Sequence, residues 1–250
     1  MIIVNGIKEN NNILLDEGFI FGRSIFETIL INNNSPIFLK EHIERINYAA
    51  LNLKINNSIE EDYVLSIIRK YNIKNCALKL ILSPKNIVVT TRDLPYKDED
   101  YERGFTLTIS DTLRNDTSLL PSLKWTGYIE NLLIKENAQK AGFNDALFIN
   151  SKGFITETTV SNIFFIKDDI IHTPSIDCGL LNGIVRSWLM KNYNVKEGKY
   201  TVKDLIESQG VFLTNSLLGI ISVSSITGVS IEKHQLTYHL YSQYKEFIEI

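Results

Sequence analysis

In Asn115-Asp-Thr-Ser-Leu-Leu-Pro-Ser-Leu-Lys-Trp-Thr-Gly-Tyr128 the periodicity of the chain breaks. Polar turn formers and a proline interrupt the helix and strand patterns found on either side. The break predicts two domains, 1–116 and 117–250, with the boundary near residue 117. A chain of 250 residues is long enough to give each half a core of its own.

Before the break, residues 2–4 read as a strand and Asn5-Gly6 as a hairpin turn. Residues 26–31 read as a second strand. Leu39, Ile43, Ile46, Ala50 and Leu53 then recur at spacings of four and three, which is one apolar face of an amphipathic helix. Ser58-Ile-Glu-Glu61 has the form of a capping box opening another helix, with Val64, Ile67, Ile68 and Tyr71 inward. Strands follow at 76–82, 86–92 and 105–110. This half is expected to be a small α+β domain.

After the break a helix is expected over 129–141, stopped by Gly142. Strands follow at 146–150, 154–158 and 163–167, joined by Ser151-Lys-Gly153 and Asp168-Asp169. Helices are predicted at 184–193 and 202–208, the second capped by Thr201 and stopped by Gly210. Strands at 211–214 and 220–223 and a helix at 236–248 close the chain.

Composition removes several classes of function. An apolar fraction of 44% with 22% charged residues is that of a soluble globular protein. The net charge of −3 comes with no basic stripe, so no nucleic-acid partner is expected. There is no secretory leader and no apolar run of membrane-spanning length, which reads as a cytoplasmic protein without a membrane partner. Cys76 and Cys178 make no disulfide framework, and Cys76 reads as a buried small hydrophobe. The histidines at 42, 172, 234 and 239 have no metal-ligand spacing, so no metal is expected. Neither a nucleophile elbow nor a P-loop is present, and Gly179-Leu-Leu-Asn-Gly183 fits no dinucleotide fingerprint.

The residues that remain suit pyridoxal phosphate. That cofactor takes a lysine amine for its aldehyde, an acid for its ring nitrogen, and cations and backbone N–H groups for its phosphate. Lys124, Glu157, Arg45 and the helix start at Gly183-Ile184-Val185 are of these kinds. Taken singly, each also reads as a surface charge or a turn, and periodicity does not join them.

Motifs in order along the chain do join them. Phe21-Gly-Arg-Ser-Ile-Phe-Glu-Thr28, Phe38-Leu-Lys-Glu-His-Ile-Glu-Arg45, Ser122-Leu-Lys-Trp-Thr-Gly-Tyr128, Gly142-Phe-Asn-Asp-Ala-Leu-Phe148, Gly153-Phe-Ile-Thr-Glu-Thr-Thr-Val-Ser-Asn-Ile-Phe164 and Gly179-Leu-Leu-Asn-Gly-Ile-Val-Arg186 resemble the class IV aminotransferases, the fold-type IV pyridoxal-phosphate enzymes. The resemblance implies a two-domain α+β / α/β fold, with a small N-terminal α+β domain and a larger C-terminal mixed β-barrel-like domain that holds the cofactor.

By position it makes Lys124 the Schiff-base lysine, which also moves protons at the substrate carbon. Glu157 becomes the acid at the pyridine nitrogen, Arg45 a phosphate ligand, and Ile184 and Val185 the backbone donors to phosphate. Tyr128 lies near the phenolic oxygen, and Ser216 is a further phosphate hydroxyl. The implied assembly is a homodimer acting on a small-molecule amine.

Within the family, the short chain and Thr28 after Phe26-Glu27 favour aminodeoxychorismate lyase, with Thr28 near the reacting centre. The alternatives are an aminotransferase of branched-chain or D-amino acids and a non-catalytic relative. Trp125, Gly127, Val185 and Ser24 depart from the usual pattern and blur that choice. Arg23, Arg92 and Arg114 are candidates to meet a substrate carboxylate, each also readable as a surface cation.

Overall fold

The computed structural model describes residues 1–9 and 12–249. They form two compact units, Met1–Pro95 with Leu123–Gly127, and Tyr96–Ser122 with Tyr128–Ile250.

The first unit contains β1 (Ile2–Val4), β2 (Ile7–Lys8), α1 (Glu17–Phe21), β3 (Ile25–Asn32), β4 (Ser35–Pro36), α2 (Leu39–Asn52), α3 (Glu61–Tyr71), β5 (Cys76–Leu82) and β6 (Ile87–Arg92). Its strands form an antiparallel sheet in the order β2-β1-β6-β5-β3-β4. Asn5 and Gly6 join β1 to β2 with φ of 50° and 81°, the positive pair that a two-residue hairpin loop favours. Strand alternation turns Ile25, Ile29, Ile31, Leu78, Leu80, Leu82 and Val89 to one face. There they share a core with Leu39, Ile43 and Ile46 of α2 and Val64, Ile67 and Ile68 of α3. Each such aliphatic side chain contributes roughly 1.5–3 kcal/mol on full burial.

The start of α3 differs from expectation. The helix begins at Glu61 with Glu60 as N-cap and no side-chain cap bond, so Ser58 does not cap it. Ile59 and Val64 are both buried and stand at the two positions of a hydrophobic staple. Apolar packing sets the entry of this helix in place of a hydroxyl.

The second unit contains α4 (Asp98–Arg103), β7 (Phe105–Ile109), α5 (Ile129–Lys140), β8 (Asp145–Ile149), β9 (Ile155–Thr158), β10 (Asn162–Lys167), β11 (Ile170–Pro174), α6 (Ile184–Asn192), β12 (Val195–Gly198), α7 (Val202–Ile206), β13 (Gly210–Asn215), β14 (Gly219–Ile226), β15 (Val229–Ser230) and α8 (Gln235–Glu249). The order β10-β13-β14-β7-β8-β9 closes on itself where β9 pairs with β10 through Glu157 and Asn162. The result is a six-strand, barrel-like ring. It is mixed, because β7 runs parallel to both β14 and β8.

Phe105, Leu107, Leu147, Ile155, Ile163, Phe165, Leu213, Ile221 and Val223 fill a core of their own. Helix α5 ends in a Schellman motif. Phe143 N–H reaches Ala138 O, Gly142 N–H reaches Gln139 O, both at 3.0 Å, and Gly142 has φ of 88°. Thr201 caps α7 in a capping box with Asp204.

The division between units does not fall near residue 117. It falls between Pro95 and Tyr96, and Leu123–Gly127 belongs to the first unit. The reason is strand pairing. β7 is hydrogen-bonded between β14 and β8, which commits it to the ring of the second unit. Leu123 is buried in the core of the first unit. Trp125 bridges to Ile25, and the Phe26 N–H donates to Lys124 O at 2.8 Å. The stretch that breaks the periodicity is thus shared between the units.

Candidate active site

In the first unit, β3 presents alternate residues to opposite faces. Glu27 lies on the core face, in register with Leu80, Val89 and Ile3. It is fully buried, and α2 supplies its partners. Arg45 donates from Nε to Oε1 and from Nη2 to Oε2, each at 2.7 Å, and His42 Nδ1 lies 2.7 Å from Oε2. His42 and Arg45 are three residues apart on one helix, the spacing that puts both on one flank.

Burial alone would raise the Glu27 carboxyl, but the Arg45 guanidinium and His42 hold it well below the usual carboxylate range. Burial also pushes His42 below its ordinary value, against the pull of Glu27. Near neutral pH, Arg45 therefore supplies the charge and His42 an Nδ1–H donor.

The other face of the same sheet carries Phe26, Thr28, Lys79, Thr90 and Arg92, with Thr28, Lys79 and Thr90 in one cross-strand row. Lys124 Nζ lies 4.7 Å from the centre of the Phe26 ring, and Lys79 Nζ lies 4.4 Å from it. Burial, then Arg92, hold the Lys79 ammonium below its ordinary value. Lys79 went unnoticed in the sequence, although it is the one charge inside the apolar run of β5.

Trp125 and Gly127 prove to be a single feature. A Cβ on residue 127 would meet the Trp125 ring at 2.1 Å. Ser24 and Thr126 share a hydrogen bond of 2.5 Å that helps hold this strap to β3.

In the second unit, Glu157, Asn162 and Thr214 stand in one cross-strand row where the ring closes. Glu157 Oε2 accepts the Leu181 N–H at 3.2 Å, and Asn162 Nδ2 donates to Leu181 O at 2.8 Å. These two bonds seat the loop that leads into α6. Gly183 is the N-cap of α6, with no side-chain cap. A Cβ on Gly183 would meet Asn162 Oδ1 at 2.1 Å, so glycine is required for that close approach. Ile184 and Val185 open the helix, leaving the N–H groups of its first turn as an anion cradle.

Tyr128 donates its hydroxyl to Thr159 O. Burial, then the Glu157 carboxylate, hold this phenol above its ordinary value. Thr214 Oγ1 is buried with no hydrogen-bond partner among the described residues. It lies two residues before Ser216, which is only half-buried past the strand end. Of the stretch Thr214-Asn-Ser216, it is the first hydroxyl that the fold buries.

The structure thus groups the expected residues in two sets. Lys124, Thr28 and Arg45 belong to the first unit, and Tyr128, Glu157, Ile184, Val185 and Ser216 to the second. Pyridoxal phosphate fits this donor set, which offers a buried carboxylate for a ring nitrogen and an uncapped helix start with an unpaired buried hydroxyl in the adjoining row for a phosphate.

Arg114 is not a surface cation. It is buried in the second unit, against Asn131 and Glu157.

Comparison with known proteins identifies the family. The profile of the family described as amino-transferase class IV matches residues 24–226. An aminodeoxychorismate lyase of Bacillus subtilis is 29% identical, over 92% of this chain and 88% of its own length. A putative branched-chain-amino-acid aminotransferase of Methanocaldococcus jannaschii is 28% identical, over 89% of this chain and 85% of its own. Among solved structures, a putative 4-amino-4-deoxychorismate lyase of Legionella pneumophila superposes with a TM-score of 0.87 at 28% identity, covering 96% of each chain.

Proposed function

The chain belongs to the class IV amino-transferase family and is a pyridoxal-phosphate-dependent enzyme, and from that premise we propose that it is a 4-amino-4-deoxychorismate lyase, releasing pyruvate and leaving 4-aminobenzoate, a folate precursor. The observation that carries this reading over a branched-chain aminotransferase is the charge of one sheet face. Thr28, Lys79 and Arg92 occupy the same face as Phe26, whose ring lies beside the ammonium groups of both Lys79 and Lys124. A lyase substrate with two carboxylates calls for such cations, whereas a branched aliphatic side chain calls for an apolar surface.

Pyridoxal phosphate, when bound, supplies an aldehyde for an amine and a protonated ring that draws electrons from the carbon bearing it. Lys124 is the amine that anchors the cofactor. The same amine would take the proton from the substrate's amine-bearing ring carbon. The ether bond to the enolpyruvyl group then breaks, its oxygen leaves with the three-carbon fragment as pyruvate, and aromatisation of the ring drives the loss. Thr28 meets the leaving oxygen.

With the cofactor bound, Glu157 would hold the ring nitrogen and Tyr128 the phenolic oxygen. Ile184, Val185 and Ser216, with Thr214, would hold the phosphate, and Arg45 is the cation that the reading assigns to it. Glu27 and His42 set the aim of the Arg45 guanidinium.

A homodimer is part of the proposal. It is supported by the exposed apolar residues Ile13, Leu14, Leu15, Phe19 and Phe21, the last two 76% and 75% exposed. Light scattering tests it. Among the described residues no helix is long and apolar enough to cross a membrane.

The deciding assay supplies cofactor-loaded protein with enzymatically generated aminodeoxychorismate. Equal release of 4-aminobenzoate and pyruvate is expected. No release, with amino transfer from leucine or D-alanine to 2-oxoglutarate in a parallel reaction, would transfer the protein to the aminotransferases. Lys124→Ala is expected to abolish borohydride-trapped cofactor, read by mass spectrometry of the intact chain. Trapping at the wild-type level would remove Lys124 from its role.

A further inference from the structure

Arg114 is 8% exposed and is held from several sides. Its guanidinium lies 3.8 Å from the centre of the Phe148 ring. Nη1 and Nη2 both donate to Asn131 Oδ1 at 3.2 Å. Asn131 is itself fixed by donating from Nδ2 to Thr159 O at 2.7 Å. Nη2 then stands 3.6 Å from Glu157 Oε1, while the other oxygen of Glu157 takes the Leu181 N–H.

Asn131 and Phe148 are uncharged, so they orient the guanidinium without cancelling it. Glu130 also meets Nη1, at 3.3 Å, but its side chain is 53% exposed, where water screens the pair. Glu157 is therefore the buried carboxylate on which the Arg114 charge acts most strongly.

We propose that Arg114 is a positioning residue for the cofactor's ring. By pairing with Glu157 it keeps that carboxylate ionised, so that the proton between Glu157 and the ring nitrogen stays on the nitrogen. The inference rests on the reading of Glu157 as the ring-nitrogen acid. An opposite charge in contact with a carboxylate weakens its hold on a proton by about 10- to 1000-fold. Coulomb interaction falls with distance, so the effect is greatest on the group in contact. A proton shared between nitrogen and carboxylate partitions by their relative affinities. Arg114 tips that partition toward a protonated ring, the form that draws electrons.

The test uses holoenzyme loaded with pyridoxal phosphate labelled with 15N at the ring nitrogen. The wild type is expected to give the resonance of a protonated pyridine. Arg114→Met keeps the length of the side chain against Phe148 and removes the charge. It is expected to move the resonance toward the unprotonated position at full cofactor loading, and to lower kcat by about 10-fold or more with little change in KM. Arg114→Lys is expected to restore the wild-type resonance.

An unmoved resonance in Arg114→Met overturns the inference. If Glu157→Gln also leaves it unmoved, the reading of Glu157 fails with it, whereas a shift in Glu157→Gln alone confines the failure to Arg114. Should Arg114→Met not fold, Asn131→Ala removes the acceptor of both guanidinium donors. It is expected to give a smaller shift in the same direction, and no shift there overturns the inference equally.

Discussion

Each unit buries a carboxylate completely, Glu27 in the first and Asp145 in the second, and their surroundings differ. Glu27 has a guanidinium on two edges and an imidazole N–H on one oxygen. Asp145 has neutral donors on Oδ1 alone. These are the Thr159 hydroxyl at 2.5 Å and the N–H groups of Ala146 and Thr159 at 2.8 and 3.3 Å, while Oδ2 has no hydrogen-bond partner among the described residues. Burial desolvates both groups. Glu27 nonetheless ends far below the ordinary carboxylate range, and Asp145 is raised by its burial despite Lys135 and its hydrogen bonds. Burial sets the penalty, and the charge of the contacts decides whether it is overcome.

The comparison breaks most readily at Glu27. Glu27→Ala leaves Arg45 and the fully buried His42 without their partner. We expect a loss of about 3–5 kcal/mol in urea denaturation. A loss no larger than that of an exposed glutamate would mean that the pair does not stabilise the unit.

The acid side of the stability curve sharpens the contrast. Both Glu27 and His42 have folded values below their unfolded ones. Each contributes stability above its unfolded value that is lost as pH falls toward its folded one. The decline therefore starts below about pH 6.5, from His42, and continues below about pH 4.3, from Glu27. His42→Asn keeps an N–H for Glu27. It is expected to flatten the upper limb while leaving the lower limb, as measured by urea midpoints at pH 7, 5.5 and 4.

Asp145 supplies the smallest effect and the opposite sign. Its folded value lies above its unfolded one, so its contribution is full below about pH 3.9 and is lost as pH rises. Asp145→Asn is expected to gain on the wild type as pH rises from 4 to 8. A difference that does not change with pH would show that Asp145 titrates alike in both states.

Much of the fold was legible because the units solve burial in ways a pattern records. The face of α2 at Leu39, Ile43 and Ile46, the Asn5-Gly6 turn, the Gly142 stop and the Thr201 cap are all local, and local sterics and periodicity dictate them. Ser58 misled because its hydroxyl competes with the burial of Ile59, and burial prevails. The short strands β11, β12 and β15 and the helices α1 and α4 were not visible. They are too short to show a period: β11 and β15 are the second arms of hairpins with β10 and β14, and β12 takes its place by pairing in parallel with β11.

The site divided along the same line. By itself the sequence determined which residue types were available and in what order, and the motif order identified the residues and the cofactor to expect. It could not show that Arg114 is buried against Glu157, that Lys79 shares a ring with Lys124, or that Thr214 stands in a row with Glu157 and Asn162. It also misplaced the boundary between the units. These facts depend on strand register and ring closure between segments far apart in the chain. Register moves every side chain to one face or the other in steps of one residue, and only the folded sheet selects the step.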